Sequence, residues 1–387
     1  MQKLFLYPLN TFFAVLLGLL FTFFNFSYFY KIPSYNDIFR IFIIMLAYLF
    51  ISVFFIKRKK INIIPNERLK NIYKPLLVIS SLGFVIELVL YGIPLLAQGG
   101  RDEYKSIPVL HVLFYSILIC SIIFSSIYGS AKSIIISFAI ALVISVLFFT
   151  RQMLMVSFMI FMISMFIRYS QYKKIYIYIL FFIFFLTVLF SFLGDIRQQS
   201  AGDYVDNYVY MIGGANENGT MLGTALYWVW LYIASPIYNL YLNFNVNNEM
   251  ADACITYNKV GDCFSPYISN VVMPNTISKY IGAEQIDIES VVQNLNVGTG
   301  YAKAARLFGL AGVISQITLQ FLFYVIGYIL TPSRVRVVYT IYFSALSFFM
   351  IFDNLFVKGE FFFVFIIIMI IGKFFSSPIK ENFEKKM

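Results

Sequence analysis

GDIRQQSAGDYVDNYVYMIGGANENG, residues 194–219, opens a polar stretch that runs to Gly300 in a chain otherwise built of apolar runs. The 387 residues are 60% hydrophobic and 12% charged, with a mean hydropathy of +0.80. That balance is far from a water-soluble domain. Crossing ~30 Å of hydrocarbon takes roughly 20 apolar residues. Runs of that kind fall at 4–30, 37–56, 75–97, 107–129, 133–149, 153–167, 175–193, 302–330, 337–356 and 361–375. The first is too long for a secretory leader and lacks a small-residue cleavage site. The reading is an all-α polytopic membrane protein with about ten transmembrane helices. It forms a single membrane domain over 1–387, with one large insert at 194–300.

The formal charge of +10 is a topology signal, and its distribution argues against nucleic acid as a partner. Lys57, Arg58, Lys59, Lys60, Arg68, Lys70 and Lys74 crowd one short loop. Such loops stay in the cytoplasm. Alternation then places Lys132, Arg168, Lys173, Lys174, Arg334, Arg336 and the basic C-terminal tail on that same side. Both termini are expected in the cytoplasm and the insert on the opposite face. Cys254 and Cys263 lie in the insert, where an oxidising compartment permits a disulfide; two unpaired thiols are the alternative. Within the insert, 221–244 is apolar and aromatic. A full span there would reverse everything after it, so the expectation is a re-entrant or interfacial helix pair broken near Ser235-Pro236.

Candidate chemistry gathers at the outer face. Lys303 and Arg306 open the eighth span, three apart and on one helix face. Both oppose the helix dipole and the positive-inside preference, costs that a bound anion would reverse. Pairing with an insert carboxylate such as Glu289 is the alternative. Arg151 lies at a tight outer junction, either snorkelling or binding phosphate or sugar. Arg197, two residues after Asp195, and Arg101 add further guanidinium groups suited to pyrophosphate. Glu87 is the acid set deep within a span, a base or the partner of a cation such as Arg151. His111, the lone histidine, is either a proton acceptor or a packed neutral imidazole. Trp228 and Trp230 suit sugar stacking or an interfacial aromatic belt equally well. Neither nucleotide-binding loops nor metal-spaced Cys/His sets occur, so no cofactor and no metal is expected.

The arrangement resembles bacterial oligosaccharide repeat-unit polymerases, the Wzy-type O-antigen and capsule polymerases. The whole-chain pattern carries the resemblance, together with Arg151-Gln152, Gly194-Asp-Ile-Arg197, Tyr232-Ile-Ala-Ser-Pro236, Asn296-Val-Gly-Thr-Gly-Tyr-Ala302 and Phe308-Gly-Leu-Ala-Gly312. The paired Arg motifs of some members, with Gly at a set offset, are absent at Arg197 and Arg306. The resemblance implies a GT-C-like membrane glycosyltransferase of lipopolysaccharide biosynthesis in the bacterial inner membrane, its large loop periplasmic. It implies transfer of a glycan from undecaprenyl pyrophosphate to the next lipid-linked repeat, with a chain-length regulator and the flippase as partners. In that setting Arg101, Arg151, Arg197, Lys303 and Arg306 would hold the pyrophosphate. Asp195, Glu217, His111 and Glu87 are the candidate bases for the acceptor hydroxyl. An O-antigen ligase is the nearest rival, but a histidine expected in its large loop is missing here. A lipid-linked oligosaccharide flippase is the rival from another class, and it would concentrate polar groups near the midplane.

Reporter fusions after Lys60, Lys174 and Arg336 are expected to read cytoplasmic, and fusions after Ala97 and Asp262 periplasmic. A cytoplasmic signal at Asp262 would overturn the sidedness.

Overall fold

The computed structural model describes residues 2–55, 63, 67–94, 104, 106–148, 150–169, 205–251, 260–293 and 295–375, with Ile177, Phe184, Val188 and Ser191. The described residues form helices without a named strand; Ser27 and Ala215 make an isolated antiparallel bridge. In chain order the helices are α1 (Leu9–Thr22), α2 (Tyr35–Val53), α3 (Glu67–Asn71), α4 (Tyr73–Tyr91), α5 (Leu110–Tyr128), α6 (Ala131–Leu147) and α7 (Arg151–Tyr169). Then follow α8 (Tyr208–Gly213), α9 (Glu217–Met221), α10 (Thr224–Ala251), α11 (Val260–Tyr267), α12 (Asn275–Tyr280), α13 (Ala302–Leu330), α14 (Arg336–Phe348) and α15 (Gly359–Phe375).

Among the described residues, six helical stretches are long and apolar enough to cross a membrane: Tyr35–Val53, Arg68–Tyr91, Leu110–Tyr128, Arg151–Tyr169, Ala302–Leu330 and Ser333–Ile351. Leu9–Thr22 and Ala131–Leu147 are apolar but shorter. The apolar run at 4–30 therefore holds a helix only over its middle. Its end, around Ser27, turns onto the insert instead: Tyr28 N–H donates to Gly214 O and the Ser27 hydroxyl to Gly213 O. The run at 175–193 lies largely outside the described residues.

The bundle is apolar on both its inside and its outside. α5 is buried on every side from Tyr115 to Tyr128, as is α14 from Val338 to Ser347, so these two helices form the centre. Around them, α2 presents Phe39, Phe42, Leu46 and Phe50 outward, α4 presents Val78, Leu82, Val85 and Val89, and α13 presents Leu322, Ile326 and Ile329. Apolar belts of this extent are incompatible with water and suit lipid. At one end of the bundle, Arg168 donates to the carbonyls of Gly129 and Ser126, Arg336 to Thr331 O, and the Tyr128 hydroxyl to Arg334 O. Arg168, Arg334 and Arg336, which charge counting assigned to one side, thus lie at one end of the bundle.

The insert departs from expectation at Pro236. The segment is one helix, α10, 28 residues long with the proline inside it, not a pair broken there. Proline removes the bond to the Tyr232 carbonyl and costs about 3 kcal/mol in a helix interior. Burial outweighs that cost. Tyr227, Trp228, Trp230, Leu231, Ala234, Ile237, Tyr238, Leu240, Tyr241 and Phe244 are all buried, and each large apolar side chain contributes ~1.5–3 kcal/mol. The helix meets the end of α1 through Trp230 to Phe21 O and Tyr238 to Thr22 O, the start of α7 through Arg151 over Tyr232, and the start of α2 through Arg40 over Phe244, so it lies across one end of the bundle. It packs between α1 and α13.

After α12 the described residues 284–293 and 295–297 cross the end of the bundle without helix or sheet partners, with a turn at 291–293. Three buried asparagines supply the missing backbone pairing. Asn243 accepts from Glu289 N–H at 3.1 Å and donates to Glu289 O at 2.8 Å. Asn239, one turn earlier on α10, accepts from Val291 N–H and donates to Leu295 O and Val297 O. Asn270 accepts from Ile286 N–H and donates to Glu284 O. Each side-chain amide thereby acts as a neighbouring strand would.

Asn243→Ala removes both partners of Glu289 from a buried site, each worth ~1–3 kcal/mol when left unsatisfied. It is expected to lower the thermal midpoint by several degrees, while Asn245→Ala on the same helix changes it little. Equal midpoints for the two variants would refute the clamp.

Candidate polar cavity at one end of the bundle

A cavity of about 310 Å³ opens at the end opposite the Arg168 and Arg336 cluster. Its walls come from distant parts of the chain: Asn270 and Asn275, Asp287, residues 296–300, Lys303, and the 352–358 turn between α14 and α15. Gly300 N–H donates to Met350 O at 2.8 Å and its carbonyl accepts from Gln316, fixing the 296–300 strip against α13 and α14.

Two glycines shape α13 beneath it. Gly309 has φ +56°, a left-handed conformation costly for other residues, and together with Phe308 it interrupts the helix. A Cβ at Gly312 would lie 2.4 Å from Ala304 O, so the two parts approach backbone to backbone. Lys303 and Arg306 therefore sit on a short helical segment ahead of this break. The macrodipole argument for an anion at the end of a long helix does not apply to so short a piece.

The two cations also differ in their partners. Arg306 pairs with Glu289 at 3.1 Å and donates to Asp287 O at 2.5 Å, so the carboxylate alternative holds for it. Lys303 points into the cavity and makes one long bond, 3.4 Å, to Asn270 Oδ1. Lys358, which residue types alone did not single out, is the second cation lining the cavity. Its Nζ lies 2.5 Å from Asp353 Oδ2 and donates to Gln152 Oε1 at 3.1 Å. The signal was present in the run Phe352-Asp-Asn-Leu-Phe-Val-Lys-Gly-Glu360, four ionic or amide side chains in a tight turn between two apolar helices. Asn354 is buried, donates to Val271 O, and leaves its Oδ1 without a partner; Asn275 Oδ1 is likewise buried without one. The lining thus offers two ammonium groups, Lys303 and Lys358, and two carboxylates, Asp287 and Asp353, a set that hydroxyl-rich and anionic ligands satisfy.

Other expected residues lie elsewhere. Glu87 is fully buried near the end of α4, where Oε1 accepts from Ile107 N–H at 2.8 Å and Oε2 lies 2.7 Å from His111 Nδ1. Its partner is therefore His111, not Arg151. The histidine ring packs among Phe84, Tyr115 and Phe148. Nearby, burial first and then the Glu87 charge push the Tyr104 phenol up to about 12. Arg151 opens α7, and its guanidinium lies 5.2 Å above the Tyr232 ring. It is Gln152, the next residue, that reaches the cavity turn. Glu217 is exposed in the first turn of α9 and does not line the cavity.

Trp228 and Trp230 are buried and present no open face for a sugar. Trp230 donates to Phe21 O at 3.0 Å and packs against Phe26, Tyr30 and Tyr227, joining α10 to α1. Trp228 packs against Tyr232. Cys263 is disulfide-bonded and Cys120 is free and buried. Arg101, Asp195, Arg197 and Cys254 lie outside the described residues. No group of three or more His, Cys, Asp or Glu able to hold a metal occurs among the described residues.

No known protein family, no characterised protein and no solved structure matches the chain.

Glu87→Gln removes the carboxylate charge and leaves one amide oxygen in place of the two oxygens that meet Ile107 N–H and the His111 ring. The loss is expected at ~1–3 kcal/mol, read as a lower melting temperature in detergent. An unshifted midpoint would show that the Glu87–His111 pair contributes nothing to stability.

Proposed function

We propose that the protein is a membrane glycosyltransferase that polymerises polyprenyl-pyrophosphate-linked oligosaccharide repeats at the outer face of the bacterial inner membrane. The observation that carries this reading is the cavity, which places Lys303, Lys358 and Asp353 together over an apolar bundle. Ammonium groups stabilise a departing pyrophosphate without a metal. Each charge-assisted bond supplies about 1.5–3 kcal/mol. The carboxylate oxygens of Asp353 and Asp287 can accept from sugar hydroxyls.

A second feature supports a lipid-anchored substrate. An apolar groove of about 850 Å³ runs between Phe264, Tyr267 and Ile268 on one wall and Leu310, Ala311, Ile314 and Leu319 of α13 on the other. It begins just past the Phe308–Gly309 break, whereas Lys303 lies just before it. A substrate with a phosphate head and a prenyl chain needs that succession of polar and apolar surface along one element. Large polar walls are also at odds with the flippase reading, in which polar groups lie at the midplane.

Deletion of the gene in its native host, with lipopolysaccharide resolved on a gel, tests the proposal. The expected result is loss of the polymer ladder with a single repeat retained on the core. Absence of any repeat would indicate a ligase or flippase, and an unchanged ladder would remove the reading altogether.

A further inference from the structure

Asp353 is held in a way that no other carboxylate of the described outer end is. Both of its polar contacts fall on Oδ2: the Lys358 ammonium at 2.5 Å and the Gln152 amide N–H at 3.5 Å. Oδ1 is left to the cavity that Asp353 lines, and the side chain is 42% exposed, enough for a proton to leave to water. The competing acids are otherwise engaged or misplaced. Glu87 has both oxygens occupied and no exposure. Glu289 is bound to Arg306. Asp287 is exposed at the cavity rim, and Glu217 is exposed on α9.

The anchoring is also rigid. Lys358 is fixed from two sides, by Asp353 on its own turn and by Gln152 on α7. The neighbouring Asn354 is tied to Val271 O, and Gly300 N–H holds Met350 O just before the turn. Four elements thus hold one carboxylate oxygen facing the ligand space. The charged groups around it are Lys358 on its own turn, Lys303 on α13, Asp287 on the extended segment and Lys279 on α12, with Arg151 and Glu360 opening the adjoining α7 and α15.

We propose that Asp353 is the general base of the transfer, with Lys358 and Gln152 as its positioning residues; this rests on the polymerase reading above. In the step, an acceptor sugar hydroxyl gives its proton to Asp353 Oδ1. Its oxygen forms the bond to the anomeric carbon of the donor, and the bond from that carbon to the pyrophosphate oxygen breaks. The electron pair leaves with the pyrophosphate, which the Lys303 ammonium meets, and the proton passes from Asp353 to solvent.

The test uses full-length protein in nanodiscs, with the lipid-linked repeat extracted from the host deletion strain as donor and acceptor. Asp353→Asn keeps the size and the Lys358 contact oxygen but cannot take a proton. It is expected to lower kcat by ~10²–10⁴ with KM within about threefold. Asp353→Glu is expected to recover part of the rate. Lys358→Gln is expected to lower kcat less than Asp353→Asn does, and Lys358→Arg, which keeps a cation against Oδ2, is expected to restore it. Wild-type kcat in Asp353→Asn would overturn the assignment while leaving the polymerase reading intact. So would equal losses in Asp353→Asn and Lys358→Gln with no recovery in Asp353→Glu or Lys358→Arg, the mark of a purely structural ion pair. A deletion strain that keeps its full ladder would overturn both.

Discussion

A backbone that leaves helix and sheet above a membrane bundle must still pair its peptide groups, because a buried N–H or C=O without a partner costs as much as a lost hydrogen bond. Residues 284–297 face that constraint, and Asn239, Asn243 and Asn270 resolve it. The consequences spread outward. The clamped segment carries Asp287 and Glu289, which hold Arg306; it delivers the 296–300 strip against Met350, and it closes one side of the polar cavity. Two of the three asparagines belong to α10, so the aromatic burial that keeps α10 intact across Pro236 also sets the cavity wall.

The cavity depends on loops from both halves of the chain. Gln152 comes from the start of α7, Asn270 from beyond α11, Lys303 from the start of α13 and Asp353 from the turn before α15. Antiparallel packing brings these helix ends together, and the centre formed by α5 and α14 keeps them there. The chemistry is therefore a property of the bundle's end.

What could be read in the residues divides along physical lines. Lipid-crossing helices announce themselves, since hydrophobic run length is a local quantity; α2, α4, α5, α7, α13 and α14 are where runs of that kind stand. Lys303 was singled out because a cation there violates two local preferences, and it does line the cavity. Lys358 and Asp353 violate none, so only the fold reveals them. The Glu87–His111 pair joins residues 24 positions apart on two helices, and nothing in either helix specifies the other. The break expected at Pro236 failed because propensity is a few kcal/mol and the burial of ten neighbours is more. The break at Phe308–Gly309 lay within a quoted motif, yet it passed unseen because glycine in an apolar run is common in membrane helices.

That break separates two frames of reference. From Leu310 onward α13 is a lipid-facing rod whose tilt must follow bilayer thickness. The segment before it is tied instead to Asn270, Glu289 and the 299–301 strip. Across the break the two are fastened again, since Gln316 donates to Gly300 O and Gly312 packs on the Ala304 carbonyl, so the rod's first turns share the frame that holds the Lys303 ammonium.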